Sequence, residues 1–514
     1  MVRFQRQKTS PDTKGKPKVI RRLGHIEKYQ STLHSLGLYH GCAISCRYVI
    51  PDALLASDQP IESTVETAFA SAILRHPFFT VSRINDDSKK PSWIRLSQID
   101  LNDLVEWRTV KDTESCDNVL QEVLEWQVNH SYTHLETRPP WRSVILKPAN
   151  SKFVEIVFAW DHTAGDGKSG KIFHNSLLAS LNAIADGKEV GPVLKDRVFK
   201  VPVTALTPPT HNVLKFPISL GYVLAQARDT IKGSPDGPDS PYVAAWAPIQ
   251  KTPCTTRQLT IVVGKDALPH VLEACRQHKT TLTGLSHALI LVSMATRIPK
   301  EKAPVFQSGT PVCFRRFDDY RNPKYSSLKL EQTVMNCVTY WSYKYDEGTV
   351  AKVRQQVSDL KSNPESKTDL EGIVWSVAAS IRQGISEKIA SGTKNDMFGL
   401  MKFVGDWRSY FKDMESKGKR AHDWEVSNLG VIDGGGDGQG DKWTVESAAF
   451  TQSAAVTDPA LCLSFVAVKG EELVISCCWQ IEVIDDGLAK GLLSDLEAWL
   501  NQLGRSGHVS FGAE

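Results

Sequence analysis

From Phe153 to Trp160 the chain reads FVEIVFAW, eight residues in which Glu155 is the one charged side chain. A strand facing water on one side alternates apolar and polar positions, whereas a run this apolar belongs to a strand covered on both faces. The run stops at Asp161 and His162, then turns through Gly165 and Gly167 around Asp166. From Lys168 it resumes with Ile172, Phe173, Leu177, Leu178, Leu181 and Ile184 at helical spacing, and Gly187 is a stop signal. Strand, tight turn and helix in this order place His162 at the carboxyl end of a strand, where open α/β sheets form their ligand crevices.

The same alternation runs along the whole chain. Strands are expected at Ala43 to Ile50, Pro311 to Phe314, Val334 to Trp341 and Leu461 to Lys469, with helices at Lys168 to Ala185 and Thr281 to Arg297. The class is therefore α/β. A chain of 514 residues exceeds one compact core, so two domains or two halves of one pseudo-symmetric fold are expected. Proline, glycine and serine concentrate between Thr207 and Thr256, in TPPTH, GSPDGPDSP and QKTPC. The expected organisation is a basic flexible tail over 1–22, an N-terminal half over 23–206, a crossover linker over 207–256 and a C-terminal half over 257–514. The stretch DGGGDGQGD, Asp433 to Asp441, reads as a surface loop.

Several function classes drop out. A net charge of +3 calls for neither nucleic acid nor an anionic membrane as partner. The longest apolar runs are too short to span a bilayer, and Met1 to Arg22 lacks the apolar core of a secretory signal, so a cytoplasmic location is expected. The ten cysteines show no metal-ligand spacing and are expected as reduced thiols. No metal is expected: one imidazole and one carboxylate do not fill a zinc shell, and His174 on the following helix lacks a companion. No G-x-S-x-G elbow is present.

The longer string H-x-x-x-D-G-x-S-G-x-x-F-H-x-x-L-L, His162 to Leu178, resembles the fungal alcohol O-acetyltransferase family. That family lies within the CoA-dependent acyltransferase superfamily of chloramphenicol acetyltransferase, plant acyl-CoA transferases and peptide-synthetase condensation domains. RRLGHIEKYQSTLHSLGLY near the start, PVCFRRFDDY followed by VMNCVTY, and VSNLGVI late in the chain resemble the same family. The plant D-F-G-W-G signature is absent, and Asp161 stands where condensation domains carry a second histidine.

The resemblance implies two similar halves, each a mixed sheet with covering helices, and an active-site tunnel at their interface. It implies acetyl-CoA as co-substrate and a small-molecule alcohol as acceptor, such as a trichothecene-like terpenoid or a polyketide, and a monomer suffices. An alcohol is a weak nucleophile at neutral pH, and an imidazole titrating near neutrality suits removal of its proton. His162 is assigned as that base, without an acyl-enzyme. Asp166 is expected to pair with Arg315 in a structural role, and Gly167 to let the chain pass closely beneath. Asn428 or Ser427, and after them Asn336, are the candidates for the oxyanion or acceptor contact. An amine acceptor, a longer acyl donor, or a non-catalytic ligand-binding relative are the alternatives.

Overall fold

A computed structural model describes residues 17–232, 242–363, 368–436 and 441–511. Residues 1–16 of the expected tail, 233–241 of the expected linker and 437–440 of the glycine-rich loop lie outside the described residues. The strands of the first portion are β1 (Val19–Arg22), β2 (Cys42–Val49), β3 (Val81–Ile84), β4 (Ser92–Arg95), β5 (Gln98–Asp100), β6 (Val105–Val110), β7 (Trp141–Pro148), β8 (Phe153–Trp160) and β9 (Val198–Lys200). Those that follow are β10 (Thr256–Val263), β11 (Phe306–Cys313), β12 (Val338–Tyr345), β13 (Trp424–Ile432), β14 (Thr444–Gln452), β15 (Leu461–Val468) and β16 (Leu473–Gln480).

Two mixed sheets dominate. The first has the order β14-β2-β8-β7-β6, with β8 at its centre and β2 and β7 antiparallel on either side. From Val154 to Trp160 every side chain of β8 is buried. Glu155 survives there because Arg47 Nε donates to its carboxylate at 3.0 Å. Burial still pushes the Glu155 carboxyl up to about 7, against the pull of Arg47. The edge strand β14 comes from late in the chain and pairs antiparallel with β2, setting Gln452 opposite Cys42.

The second sheet has the order β10-β16-β15-β13-β11-β12. Its strand β13 is parallel to β15 and to β11, but meets β11 at only two positions, Ser308↔Trp424 and Gly309↔Glu425. The helix Leu282–Arg297 covers this sheet and is almost wholly buried, as its run of apolar and small residues requires.

The helix Gly167–Ala185 covers the first sheet, stacking Phe173 on Phe158 with ring centroids 3.8 Å apart. Asp166 caps it, its Oδ1 accepting from the Ser169 amide at 3.0 Å. The helix ends just before Gly187, whose φ of +72° is the left-handed turn that stops it.

Three local expectations differ from the structure. Val19–Arg22, placed in a solvated tail by their charge, form β1 on β4. The cause is Arg21, whose guanidinium holds the buried Glu27 carboxylate at 2.7 and 2.8 Å. Within the proline-rich stretch, Thr210–Val213 and Leu220–Lys232 are helical, and Val213 and Leu214 are fully buried. The strand expected from Val334 begins at Val338, because residues 333–337 are bonded to Arg315 and to the His162 loop instead. Among the described residues no helix is long and apolar enough to cross a membrane, and all ten cysteines are free thiols.

Candidate active site

His162 sits in the turn that joins β8 to its helix. The indole of Trp160 donates to the Gly165 carbonyl at 2.9 Å and so clamps the turn from within. Neither Gly165 nor Gly167 has a positive φ, so both are small for reasons of packing. A Cβ on Gly165 would lie 2.6 Å from that of Ser169, and one on Gly167 would lie 2.8 Å from Leu429 Cδ2 of β13. Close approach of the two sheets at this turn depends on glycine.

The two aspartates of the turn have separate partners. Asp166 is 1% exposed and saturated with donors. Its Oδ2 accepts from Arg315 Nη1 at 2.6 Å and from the Cys337 amide at 3.0 Å. Its Oδ1 accepts from Arg315 Nη2 at 3.1 Å and from the Ser169 hydroxyl at 2.9 Å. Burial alone would raise its pKa, but the Arg315 guanidinium outweighs burial and holds the carboxyl below its usual value. Asp161, for which the sequence offered no role, accepts from Arg83 and from the Thr163 amide, and faces His34 Nδ1 at 3.5 Å. Burial works against its ionisation, yet Arg83 brings its carboxyl down to about 2.

Arg315 also donates to the Met335 carbonyl at 2.8 Å, which draws residues 333–337 across the turn. Asn336, the next residue, reaches the histidine itself. Its Nδ2 donates to the His162 carbonyl at 2.8 Å and lies 3.0 Å from His162 Nδ1, while its Oδ1 is buried without a partner. The structure therefore brings His162, Asp166, Arg315 and Asn336 into one connected network. Among the described residues no hydrogen bond reaches His162 Nε2.

Ser427 and Asn428 are neighbours on β13 and project to opposite faces. Asn428 is exposed, donates to Thr283 Oγ1 at 3.2 Å and accepts from the Gly430 amide at 2.8 Å. Among the described residues no hydrogen bond joins it to His162. Ser427 is buried and shares its face with Leu429, the residue packed at Gly167.

Tyr39 is a member of the site that sequence reasoning missed. Its ring meets the His162 ring edge-on at 5.8 Å, and its hydroxyl lies 3.1 Å from Gln452 Oε1 of β14. Gln452 in turn donates to Glu425 of β13 at 3.1 Å, so a polar chain crosses from one sheet to the other. No spacing rule could show this, because 413 positions separate Tyr39 from Gln452.

His162, Tyr39 and Tyr340 lie deep within the protein, yet each keeps part of its surface accessible. The three side chains are therefore not sealed by protein atoms on every side. Burial drives the His162 pKa below 6.5, with Asp166 and Asp161 only partly offsetting it, so the ring is neutral at pH 7. Among the described residues no cluster of His, Cys, Asp and Glu could hold a metal ion.

Two mixed sheets with a histidine turn between them form the fold that condensation domains share. The alignment is end to end with the trichothecene 15-O-acetyltransferase TRI3 of Fusarium sporotrichioides, at a TM-score of 0.65 and 13% identity, covering 93% of this chain and 94% of that one. The chain belongs to the alcohol acetyltransferase family, whose model matches residues 22–487. It is 26% identical to the probable alcohol acetyltransferase FCK4 of Fusarium pseudograminearum, over 97% of this chain and 98% of that one. It is 22% identical to the probable alcohol acetyltransferase crmB of Aspergillus fumigatus, over 90% and 96%.

Proposed function

We propose that this enzyme moves an acetyl group from acetyl-CoA directly to the hydroxyl of a small apolar alcohol, with His162 as general base. The observation that carries the proposal is the state of that ring. It is neutral, its own backbone carbonyl is held by Asn336 Nδ2 at 2.8 Å, and among the described residues no hydrogen bond claims Nε2.

With the ring proton on Nδ1, directed at the His162 carbonyl, the Nε2 lone pair accepts the alcohol proton as oxygen attacks the thioester carbonyl. The tetrahedral oxyanion then needs a donor held in place beforehand, worth about 3 kcal/mol. Ser427 is the better candidate, since Asn428 has both ends of its amide engaged elsewhere. Collapse expels the CoA thiolate, which recovers the proton from Nε2. Asp166, with Arg315, shapes the turn and takes no part in proton transfer.

The relatives named above support an acceptor from secondary metabolism, a terpenoid such as a trichothecene or a polyketide alcohol. The same reading takes the enzyme as a monomer of the cytoplasm. Labelled acetyl-CoA incubated with the enzyme and an extract of its source, followed by identification of the labelled product, tests it. An ester supports the proposal, and an amide as the labelled product contradicts it.

A further inference from the structure

The second sheet carries three side chains that acetyl transfer does not use. Ser342 lies on β12, His422 just before β13, and Asp458 between β14 and β15. The Ser342 hydroxyl is 2.7 Å from His422 Nε2, and His422 Nδ1 is 2.5 Å from Asp458 Oδ2. The backbone amide of His422 donates to the other carboxylate oxygen of Asp458 at 2.7 Å. Gripped at two points, the ring keeps its proton on Nδ1, so Nε2 is the acceptor for the serine proton. Burial favours the neutral ring, but Asp458 more than offsets it and raises the His422 pKa, which makes the ring a stronger base.

Exposure falls in the order a nucleophilic relay needs. Ser342 is exposed, whereas His422 is only 8% exposed, with the Tyr340 ring edge-on at 5.0 Å. The side-chain amide of Gln307 on β11 lies at the point where Ser342 meets the imidazole. Its Nε2 is 3.3 Å from His422 Nε2, and its Oε1 is buried without a partner. Ser342 follows Asn336 by six positions, and among the described residues no hydrogen bond joins Ser342, His422 or Asp458 to His162, Asp166, Arg315 or Asn336.

We propose that Ser342, His422 and Asp458 form a second catalytic centre, a serine triad that hydrolyses neutral carboxylic esters, with the Gln307 amide as oxyanion donor. His422 Nε2 takes the Ser342 proton as Oγ bonds to the ester carbonyl carbon. The tetrahedral intermediate collapses by breaking the carbon–oxygen bond to the alcohol, which leaves with the proton from Nε2. Water, deprotonated by the same nitrogen, then attacks the acyl-serine and releases the carboxylic acid and free Ser342. The ionisable groups facing His422 are Asp458, Asp423 and Glu425, all acidic, which disfavours anionic esters and CoA thioesters.

The test uses the full chain with His162→Ala as background, so that His162 cannot activate water. Hydrolysis of p-nitrophenyl acetate and labelling by a fluorophosphonate, located by peptide mass spectrometry, are measured. The triad predicts an adduct on Ser342 and turnover that falls at least about 100-fold in Ser342→Ala and in Asp458→Asn. Ser342→Cys, which preserves shape and nucleophilicity, keeps acylation while losing the fluorophosphonate adduct. An unlabelled Ser342, or hydrolysis undiminished in folded Ser342→Ala, overturns the proposal.

Discussion

Asp166 and Arg315 stand 149 positions apart in the sequence and meet in two bonds of 2.6 and 3.1 Å with no solvent access to speak of. One end of this pair caps the helix behind His162, and the other fixes the segment that carries Asn336. The pair therefore couples the histidine turn to the second sheet. Removing one partner strands a buried charge, which costs about 3–5 kcal/mol. Arg315→Met is expected to lose that much stability in urea unfolding; a loss below about 1 kcal/mol contradicts the role assigned to the pair.

Acid should weaken the same region. Asp166 and Asp161 both have carboxyls held below their ordinary value in the folded state, Asp161 at about 2. Their contribution is complete above the unfolded pKa near 4 and drains away as pH falls toward the folded values. Unfolding midpoints followed between pH 5 and pH 2.5 should drop steadily, and Asp161→Asn should flatten the drop. A midpoint independent of pH over that range speaks against both carboxylates.

Activity also falls in acid, through a different proton. The base must be neutral, and burial sets the His162 pKa below 6.5. kcat/KM should thus stay flat from pH 8 down to about 6.5 and fall only in more acidic solution. An inflection above pH 7 is incompatible with the depressed pKa.

Gly167 gives a steric prediction. The Cβ of Gly167→Ala would approach Leu429 Cδ2 to 2.8 Å and the Phe450 ring to 3.2 Å, so β13 and β14 must retreat. Overpacking of this kind costs about 1–3 kcal/mol. We expect a lower melting temperature and at least a tenfold loss of turnover, measured together; wild-type values for both would show that the sheets do not press on the turn.

Much of the covalent neighbourhood of His162 was legible because it obeys local periods. The uniform run of β8, the turn of Gly165, Asp166 and Gly167, and the apolar stripe of the following helix each lie within a few residues of one another. What was not legible joins distant segments. Asp161 reaches Arg83 and His34, Tyr39 reaches Gln452, and β14 leaves the second sheet's part of the chain to complete the first sheet. No window of sequence carries a signal for such pairs. Arg315 was named beside Asp166 only by comparison of motifs with a family. Charge misled at Val19–Arg22, where basic residues suggested a tail and one buried glutamate makes a strand possible.

Asn336 offers a test of positioning. Its amide donates to the His162 carbonyl and lies beside Nδ1. Asn336→Ala should lower kcat by about ten- to a hundredfold, leave KM for acetyl-CoA within about twofold, and shift the acid limb of the pH profile; Asn336→Asp should not restore the original profile. A fall in stability with an unaltered pH profile would reduce Asn336 to a structural bond.

The most direct measurement is single-turnover acetyl transfer by purified His162→Ala beside the wild type, with labelled acetyl-CoA and an alcohol the wild type esterifies. His162 as general base predicts an unchanged melting temperature and a transfer rate lower by at least about 10²–10⁴-fold. Transfer within tenfold of the wild type, in a folded variant, contradicts the account at its centre.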